Sequence, residues 1–142
     1  MVIYGAYRHG GMIIEILENH NREVCFYDDD PAKQEYLKTR FLKTLESQEE
    51  IIIGIGDNDI RRIIAEKLSG SSFTVATDKT TNISSGVKIG TGSVVFKGGF
   101  IIYSSKIGKL VIINTKASID HDCFVGDFSQ FYPALRFVEK LP

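Results

Sequence analysis

An aliphatic or aromatic residue recurs at every sixth position through the second half of the chain. The series consists of Ile83, Ile89, Val95, Ile101, Ile107, Ile113, Ile119, Val125, Phe131 and Phe137. Neither a helix of 3.6 residues per turn nor a simple alternating strand produces this spacing. A hexapeptide repeat does produce it, because each repeat supplies one short strand and the chain then turns a corner. We therefore predict a three-sided parallel β-helix with these side chains pointing inward.

A longer rhythm is superimposed on the first. Gly90, Gly108 and Gly126 are 18 residues apart, which is three hexapeptides or one full coil. We predict that these glycines relieve the corners of the coil. The residue two before most inward positions is small, which predicts a cramped interior. These small residues are Ser93, Gly99, Ser105, Ala117, Cys123 and Ser129. Cys123 is accordingly interpreted as a packing residue and not as a nucleophile.

The first half of the chain instead alternates short apolar runs with amphipathic segments. The runs predict strands at 2–4, 23–27, 51–53 and 73–75, and the segments predict helices at 10–19 and 59–68. The first helix should bury Met12, Ile13, Ile16 and Leu17. The second should bury Ile60, Ile63, Ile64 and Leu68. Strands alternating with helices predict a parallel sheet covered by helices.

Three turns follow the predicted strands, at 5–11, 28–30 and 54–58. We expect them on one edge of the sheet, where ligands of such folds bind. The first turn only partly matches G-x-G-x-x-G, because Tyr7 replaces the middle glycine, so a plain turn without ligand is the alternative. Asp28 to Asp30 could hold a ribose or base, or form a solvated acidic turn. His9 could contact a ligand or be merely exposed.

Composition excludes several classes of function. A formal net charge of -1 gives no argument for nucleic acid or an anionic membrane as partner. No stretch approaches the roughly 20 apolar residues that span a bilayer, and the apolar start is too short for a signal peptide. Two distant cysteines, Cys25 and Cys123, indicate reduced thiols in a cytoplasmic protein. No metal site is expected.

At this point the chain resembles a known family, the sugar acyltransferases of the sialic-acid and bacillosamine type (NeuD-like and PglD-like). The matching stretches are 3–6 with His9 and Gly10, 26–31, 53–58 with Arg61, and 111–115 running into 119–128. The resemblance implies a small Rossmann-like parallel α/β domain over residues 1–78, which binds a sugar nucleotide. A short left-handed parallel β-helix over residues 79–142 is implied to follow.

The resemblance also implies an activity. In the family, acetyl-CoA and a nucleotide-linked amino sugar meet between two β-helices of a homotrimer, and we expect a UDP-4-amino-4,6-dideoxy sugar as acceptor. His121 matches the general base that removes the acceptor's proton, and Asp122 matches its acidic neighbour. The positions matching the family's sugar-nucleotide contacts are Tyr7, Arg8, His9, Asp28, Asp29, Gly54 and Gly56.

Two departures from the family bear on activity. Tyr7 and Arg8 stand where the family has glycine or serine; they could crowd a pyrophosphate, or Arg8 could pair with it. The tail from Ser129 keeps the six-residue spacing, but Pro133 and Arg136 are atypical of the preceding repeats. A truncated or frameshifted gene would produce such a tail. The alternatives to acetyl transfer onto an amino sugar are a non-catalytic sugar-nucleotide-binding, trimerising protein and a sialic acid O-acetyltransferase.

Overall fold

The computed structural model describes residues 1–138 and forms two compact units, Met1–Thr74 and a second unit that begins at Val75. The first unit contains a four-stranded parallel sheet in the order β2-β1-β3-β4. Its elements are β1 (Val2–Tyr4), α1 (Arg8–Glu18), β2 (Cys25–Tyr27), β3 (Glu50–Ile53), α2 (Asn58–Lys67) and β4 (Ser72–Phe73). The predicted strands and helices of the first half are confirmed, with boundaries that move by a few residues.

The core of the first unit lies on strands β1, β2 and β3. Ile3 and Ile52 on the two central strands and Phe26 on the edge strand β2 are fully buried. From α1, Ile13, Ile16 and Leu17 are buried as predicted. Met12 is exposed, and the prediction for that residue is wrong. Ile14 is buried in its place, because Gly10, four residues earlier on the same helix face, lets this side of the helix approach Gly5 and Phe26.

The predicted apolar face of α2 is wrong for two residues. Ile60 and Ile63 are exposed by 49% and 61%, whereas Arg61 and Ala65 are buried. Arg61 turns inward because its guanidinium donates to backbone carbonyls of the preceding turn. Residues four apart share a helix face, so Ala65 is buried with Arg61 and the two isoleucines rotate outward.

The second unit is a parallel β-helix built from two-residue strands. These are β5 (Ala76–Thr77), β6 (Asn82–Ile83), β7 (Lys88–Ile89), β8 (Val94–Val95), β9 (Phe100–Ile101), β10 (Lys106–Ile107), β11 (Ile112–Ile113), β12 (Ser118–Ile119), β13 (Phe124–Val125), β14 (Gln130–Phe131) and β15 (Arg136–Phe137). They form three parallel sheets, ordered β13-β10-β7, β14-β11-β8-β5 and β15-β12-β9-β6. The coil of 18 residues is confirmed, because Ile112 pairs with Val94 on one side and Gln130 on the other.

The interior of the coil follows the six-residue series. Val95, Ile101, Ile113 and Ile119 are all completely buried. Five of the six small residues that stand two positions before inward residues are buried as well, and Ser129 is half-buried. The Ser93 hydroxyl is hydrogen-bonded inside the coil. Ser93 donates to Gly108 O and accepts from Val111 N, at 2.9 and 3.0 Å. Cys123 is fully buried in the same cluster, as expected for a packing residue.

The prediction that Gly90, Gly108 and Gly126 relieve the corners of the coil is wrong. The left-handed conformation falls three residues after each inward position, at Gly86, Gly92, Gly98, Ser104, Leu110, Lys116, Asp122, Phe128 and Ala134. Gly90 and Gly108 are instead required by stacking. A Cβ on Gly90 would lie 2.5 Å from the carbonyl of Gly108, and one on Gly108 would lie 2.7 Å from Asp127 N. Backbones of successive coils therefore touch at these positions.

Over residues 1–138, neither helix has the length and apolar character needed to cross a membrane.

Candidate functional site

The three turns predicted to share one edge of the first unit's sheet do meet there. Gly5 N donates to Tyr27 O, and Gly54 N donates to Tyr4 O, both at 2.8 Å. Gly5 has a φ of +99°, which favours glycine. A Cβ on Gly54 would lie 2.8 Å from the Cα of Gly10, so the third and first turns are in backbone contact. The carboxyl ends of β1, β2 and β3 thus form one compact edge.

Asp28 ties the first turn to the end of β2. Its Oδ2 accepts hydrogen bonds from Ala6 N at 3.0 Å and Lys33 Nζ at 3.1 Å. Its Oδ1 accepts one from Asp30 N at 3.0 Å. Burial acts to raise the pKa of Asp28, but these donors outweigh it and the pKa is lowered. Asp28 is therefore an ionised carboxylate already engaged by the protein.

Asp29 is bound from three sides. Tyr4 donates its hydroxyl to Asp29 Oδ2, which also pairs with Lys67 Nζ at 2.9 Å. Tyr27 Oη lies 3.4 Å from Oδ1. The hydrogen bonds from Tyr4 and Lys67 lower the pKa of Asp29. Burial, followed by the neighbouring Asp29, raises the pKa of Tyr4 to about 12. No local motif could have predicted Lys67 as a partner, because it lies 38 residues from Asp29 in the chain.

His9 lies over the third turn. The His9 ring packs against Gly56. A Cβ on Gly56 would lie only 2.7 Å from His9 Nδ1. Burial, and then the charge of Arg61, lower the pKa of His9, which keeps its imidazole neutral. Arg61 holds the turn from beneath, donating to the carbonyls of Ile55 and Gly56 at 3.0 Å each. Burial lowers the pKa of Arg61 to about 10.

Tyr7 and Arg8 stand at the start of α1. The Tyr7 ring is 60% exposed and carries two cations, with Arg8 5.7 Å and Lys33 5.9 Å from its centroid. A cavity of about 450 Å³ lies beside the acidic turn, in the size range of small-molecule sites. It is lined in part by Asp28, Asp29, Lys33, Gln34 and Phe41. All seven residues of the predicted sugar-nucleotide set lie at this one edge.

The second predicted cluster lies on a corner of the β-helix. His121 Nδ1 is 2.8 Å from Asp122 Oδ2, and the imidazole is about two-fifths exposed. Asp122 is one of the left-handed corner residues, with φ +57°. The corner turns the Asp122 side chain toward the ring. With Nδ1–H donated to the carboxylate, Nε2 carries the lone pair that can take a proton from a bound amine.

Three neighbours of His121 were not predicted. Asp120 Oδ1 accepts the His121 backbone N–H at 2.9 Å and lies 3.9 Å from Nε2. Arg136 Nη2 donates to Asp120 Oδ2 at 2.7 Å, and the bond from Arg136 lowers the pKa of Asp120. The Tyr103 ring stacks on the imidazole, 5.5 Å away and tilted by 9°. The coil period could have found Tyr103, because it precedes His121 by 18 residues.

Comparisons with known proteins identify a matching family and a similar enzyme. The PglD N-terminal domain family matches residues 1–68. GDP-perosamine N-acetyltransferase of Escherichia coli O157:H7 is 26% identical, over 94% of this chain and 67% of the relative.

Two solved structures are also similar. PerB from Caulobacter crescentus, in complex with CoA and GDP-perosamine, is 31% identical with a TM-score of 0.86, over 95% of this chain and 69% of PerB. The acetyltransferase domain of PglB from Neisseria gonorrhoeae FA1090 is 27% identical with a TM-score of 0.88, over 95% of this chain and 71% of that domain. That domain has also been solved with acetyl coenzyme A.

Proposed function

Because the chain belongs to the PglD-like sugar acyltransferases, we propose that it transfers the acetyl group of acetyl-CoA to the amino group of a nucleotide-activated sugar. The relatives support both substrates, since PerB was solved with CoA and GDP-perosamine and the PglB domain with acetyl coenzyme A. The observation that carries the proposal is the contact of 2.8 Å between His121 Nδ1 and Asp122 Oδ2 on a corner of the β-helix.

The proposed reaction is a direct attack. The amine nitrogen of the sugar attacks the thioester carbonyl carbon while His121 Nε2 takes a proton from that nitrogen. The carbon–sulfur bond then breaks, an amide is formed, and the sulfur leaves as CoA thiol after taking the proton from the His121 imidazolium, which restores the base. Asp122 holds the ring with Nε2 outward and stabilises the imidazolium that forms. A mutant of perosamine N-acetyltransferase from Caulobacter crescentus, in which a histidine is replaced by asparagine, has been solved with CoA and GDP-perosamine.

We assign the nucleotide to the edge formed by Tyr7, Arg8, His9, Asp28, Asp29, Gly54 and Gly56. We also propose that residues 1–78 form a Rossmann-like domain and that a left-handed β-helix follows it. The sheet order supports it, because the chain runs from β1 to β2 on one side and returns to β3 on the other. Ligands of open α/β sheets bind at such a reversal. The glycine contact between the turns brings backbone N–H groups close to that position.

A homotrimer formed through the β-helix completes the proposal. The side chains of Phe124 and Tyr103 next to the His121 corner are more than half exposed. A neighbouring copy would cover such aromatic groups and supply the second wall of an acetyl-CoA site. The expected mass in sedimentation equilibrium is three times the chain mass of 15.9 kDa. A single-chain mass at assay concentration would contradict the trimer.

The proposed function is tested by an acceptor screen that measures release of free CoA thiol from acetyl-CoA. The acceptors are a UDP-4-amino-4,6-dideoxy sugar, GDP-perosamine and sialic acid, with the corresponding nucleotide sugars lacking the amine as controls. We expect thiol release only with an amino-sugar nucleotide, and the amide in the product by mass spectrometry. Release with sialic acid alone would replace the proposal by O-acetylation. Tight nucleotide-sugar binding without thiol release would replace it by a binding protein.

A further inference from the structure

The His121 corner contains a second carboxylate for which the proposed reaction has no role. Asp120 and Asp122 flank the same imidazole, with Asp122 Oδ2 at 2.8 Å from Nδ1 and Asp120 Oδ1 at 3.9 Å from Nε2. If Asp120 turned to accept a hydrogen bond from Nε2–H, the imidazole would be held at both nitrogens. A base in that state has no lone pair for the substrate. The position of Asp120 therefore decides whether His121 can work.

The structure shows what holds Asp120 away from the ring. Its Oδ2 is bound by Arg136 Nη2 at 2.7 Å, and its Oδ1 is bound by the His121 backbone N–H at 2.9 Å. The side chain of Asp120 is only 13% exposed, whereas that of Arg136 is 70% exposed. Arg136 begins β15, whose strand pairs with β12 one coil earlier, and this pairing places the guanidinium over Asp120.

Resting on the proposed function, we infer that the Arg136–Asp120 ion pair is a positioning device for His121. It fixes the backbone at the corner and keeps a charge-balanced carboxylate beside Nε2. Without Arg136, the free negative charge of Asp120 would attract the imidazolium and compete with the substrate amine for Nε2. Without Asp120, the positive charge of Arg136 would oppose the imidazolium and the His121 backbone N–H would lose its acceptor. The pair thus acts through the histidine and needs no contact with substrate.

The charged and titratable groups that face His121 within the described residues are Asp120, Asp122 and Tyr103, with Arg136 acting through Asp120. Removing either partner alone leaves an uncompensated charge beside the imidazole. Arg136→Gln leaves the Asp120 carboxylate free to turn toward Nε2, and Asp120→Asn leaves the Arg136 guanidinium without its anion. We expect each single variant to disturb the imidazole more than the double variant, in which both charges are absent.

The test is the NMR nuclear Overhauser contact between the His121 imidazole and the Tyr103 ring, which stack 5.5 Å apart, measured in the full chain without substrate. The chain has three histidines, so the His121 signal is assigned from its loss in His121→Ala. We expect this contact to weaken in Arg136→Gln and in Asp120→Asn. Arg136→Lys, which keeps the charge, should retain it. Lys88→Gln is the matched control, because it also removes one positive charge from the β-helix. Lys88 is exposed and lies two coils before Phe124.

Activity supplies a second readout. Arg136→Gln and Asp120→Asn should each lower kcat about 3- to 10-fold and leave KM near the wild-type value, because neither residue needs to contact substrate. A His121–Tyr103 contact and a kcat in Arg136→Gln equal to those in Lys88→Gln would overturn the positioning role. Failure of the proposed function is a different result, namely no thiol release by the wild-type chain with any amino-sugar nucleotide, and it leaves the substrate-free NMR contact measurable. Because Arg136 is exposed, its variants should fold even if Asp120→Asn does not.

Discussion

The two units place their functional side chains by different means. In the first unit, Asp28, Asp29 and Arg61 are held by individual side-chain hydrogen bonds between turns that are distant in sequence. In the second unit, His121 is placed by a repeat, because the strands before and after it pair with copies of themselves 18 residues away. A single substitution should therefore disturb the first site strongly, whereas the second tolerates change except where successive coils touch.

The largest effect is expected at Arg61. Its guanidinium is buried and donates to Ile55 O, Gly56 O and Asn58 Oδ1. Arg61→Ala leaves these acceptors without their donor, and we expect the free energy of unfolding to fall by about 3 kcal/mol. Urea unfolding measures this. An exposed residue of the same helix provides the control, since Glu66→Ala should change stability by only about 0.5 kcal/mol. Equal losses in the two variants would show that the turn does not depend on Arg61.

The next effect tests contact between coils. A Cβ on Gly90 would lie 2.5 Å from backbone atoms of Gly108, so Gly90→Ala must displace a neighbouring strand. We expect a loss of about 2 kcal/mol in thermal or urea unfolding. Gly126 occupies the equivalent position two coils later, where the nearest atom would be Ser129 Oγ at 3.9 Å. Gly126→Ala should cost no more than about 0.5 kcal/mol. Equal costs at both glycines would contradict the stacking account.

A smaller, pH-dependent effect is expected at Asp28. Its pKa is lowered, so the folded state favours the ionised form. That stabilisation is present above the ordinary aspartate pKa of 3.8 and is lost as the pH falls through the lower folded-state value. Asp28→Asn should cost about 1 kcal/mol at neutral pH. The difference in the free energy of unfolding between wild type and variant should disappear in acid, as measured by urea unfolding at several pH values. A difference that stays constant below pH 3.8 would mean that the charge of Asp28 does not stabilise the turn.

The smallest effects concern the corners of the β-helix. Gly86 and Ala134 both adopt left-handed backbone conformations, with φ +85° and +59°. Gly86→Ala meets no atom within 4 Å, so its expected cost of about 1 kcal/mol is purely conformational. Ala134→Gly relieves the same strain in the folded state but raises the conformational entropy of the unfolded chain. We expect a net gain in stability of about 0.5 kcal/mol. Melting temperatures should move in opposite directions, and a shared direction would contradict the corner assignment.

The six-residue series predicted the β-helix because a repeat leaves little freedom. Once Val95 and Ile113 are inward, the register of every strand between them is determined. The role of Gly90 and Gly108 could not be read from spacing, since relief of a corner and close stacking both favour glycine. Only the φ angles separate the two, and they assign the corners to Asp122 and its equivalents.

The first unit shows where sequence patterns fail. The isoleucines of α2 have the right spacing for a buried face, yet Arg61 is buried and Ile60 and Ile63 are exposed. Hydrophobic periodicity takes no account of a guanidinium that satisfies buried carbonyls. At the candidate sites, Asp29 could be found in its turn, but Lys67 and Arg136 depend on contacts across the fold that no local motif records.

The central claim is that His121 is the base for acetyl transfer, and the most direct measurement is kcat/KM of His121→Ala with acetyl-CoA and the best acceptor. We predict a loss of roughly 100- to 10,000-fold, with melting temperature and oligomeric mass unchanged. His20→Ala, at a histidine beyond the end of α1, should keep the wild-type rate. Equal turnover by the two variants would contradict the account.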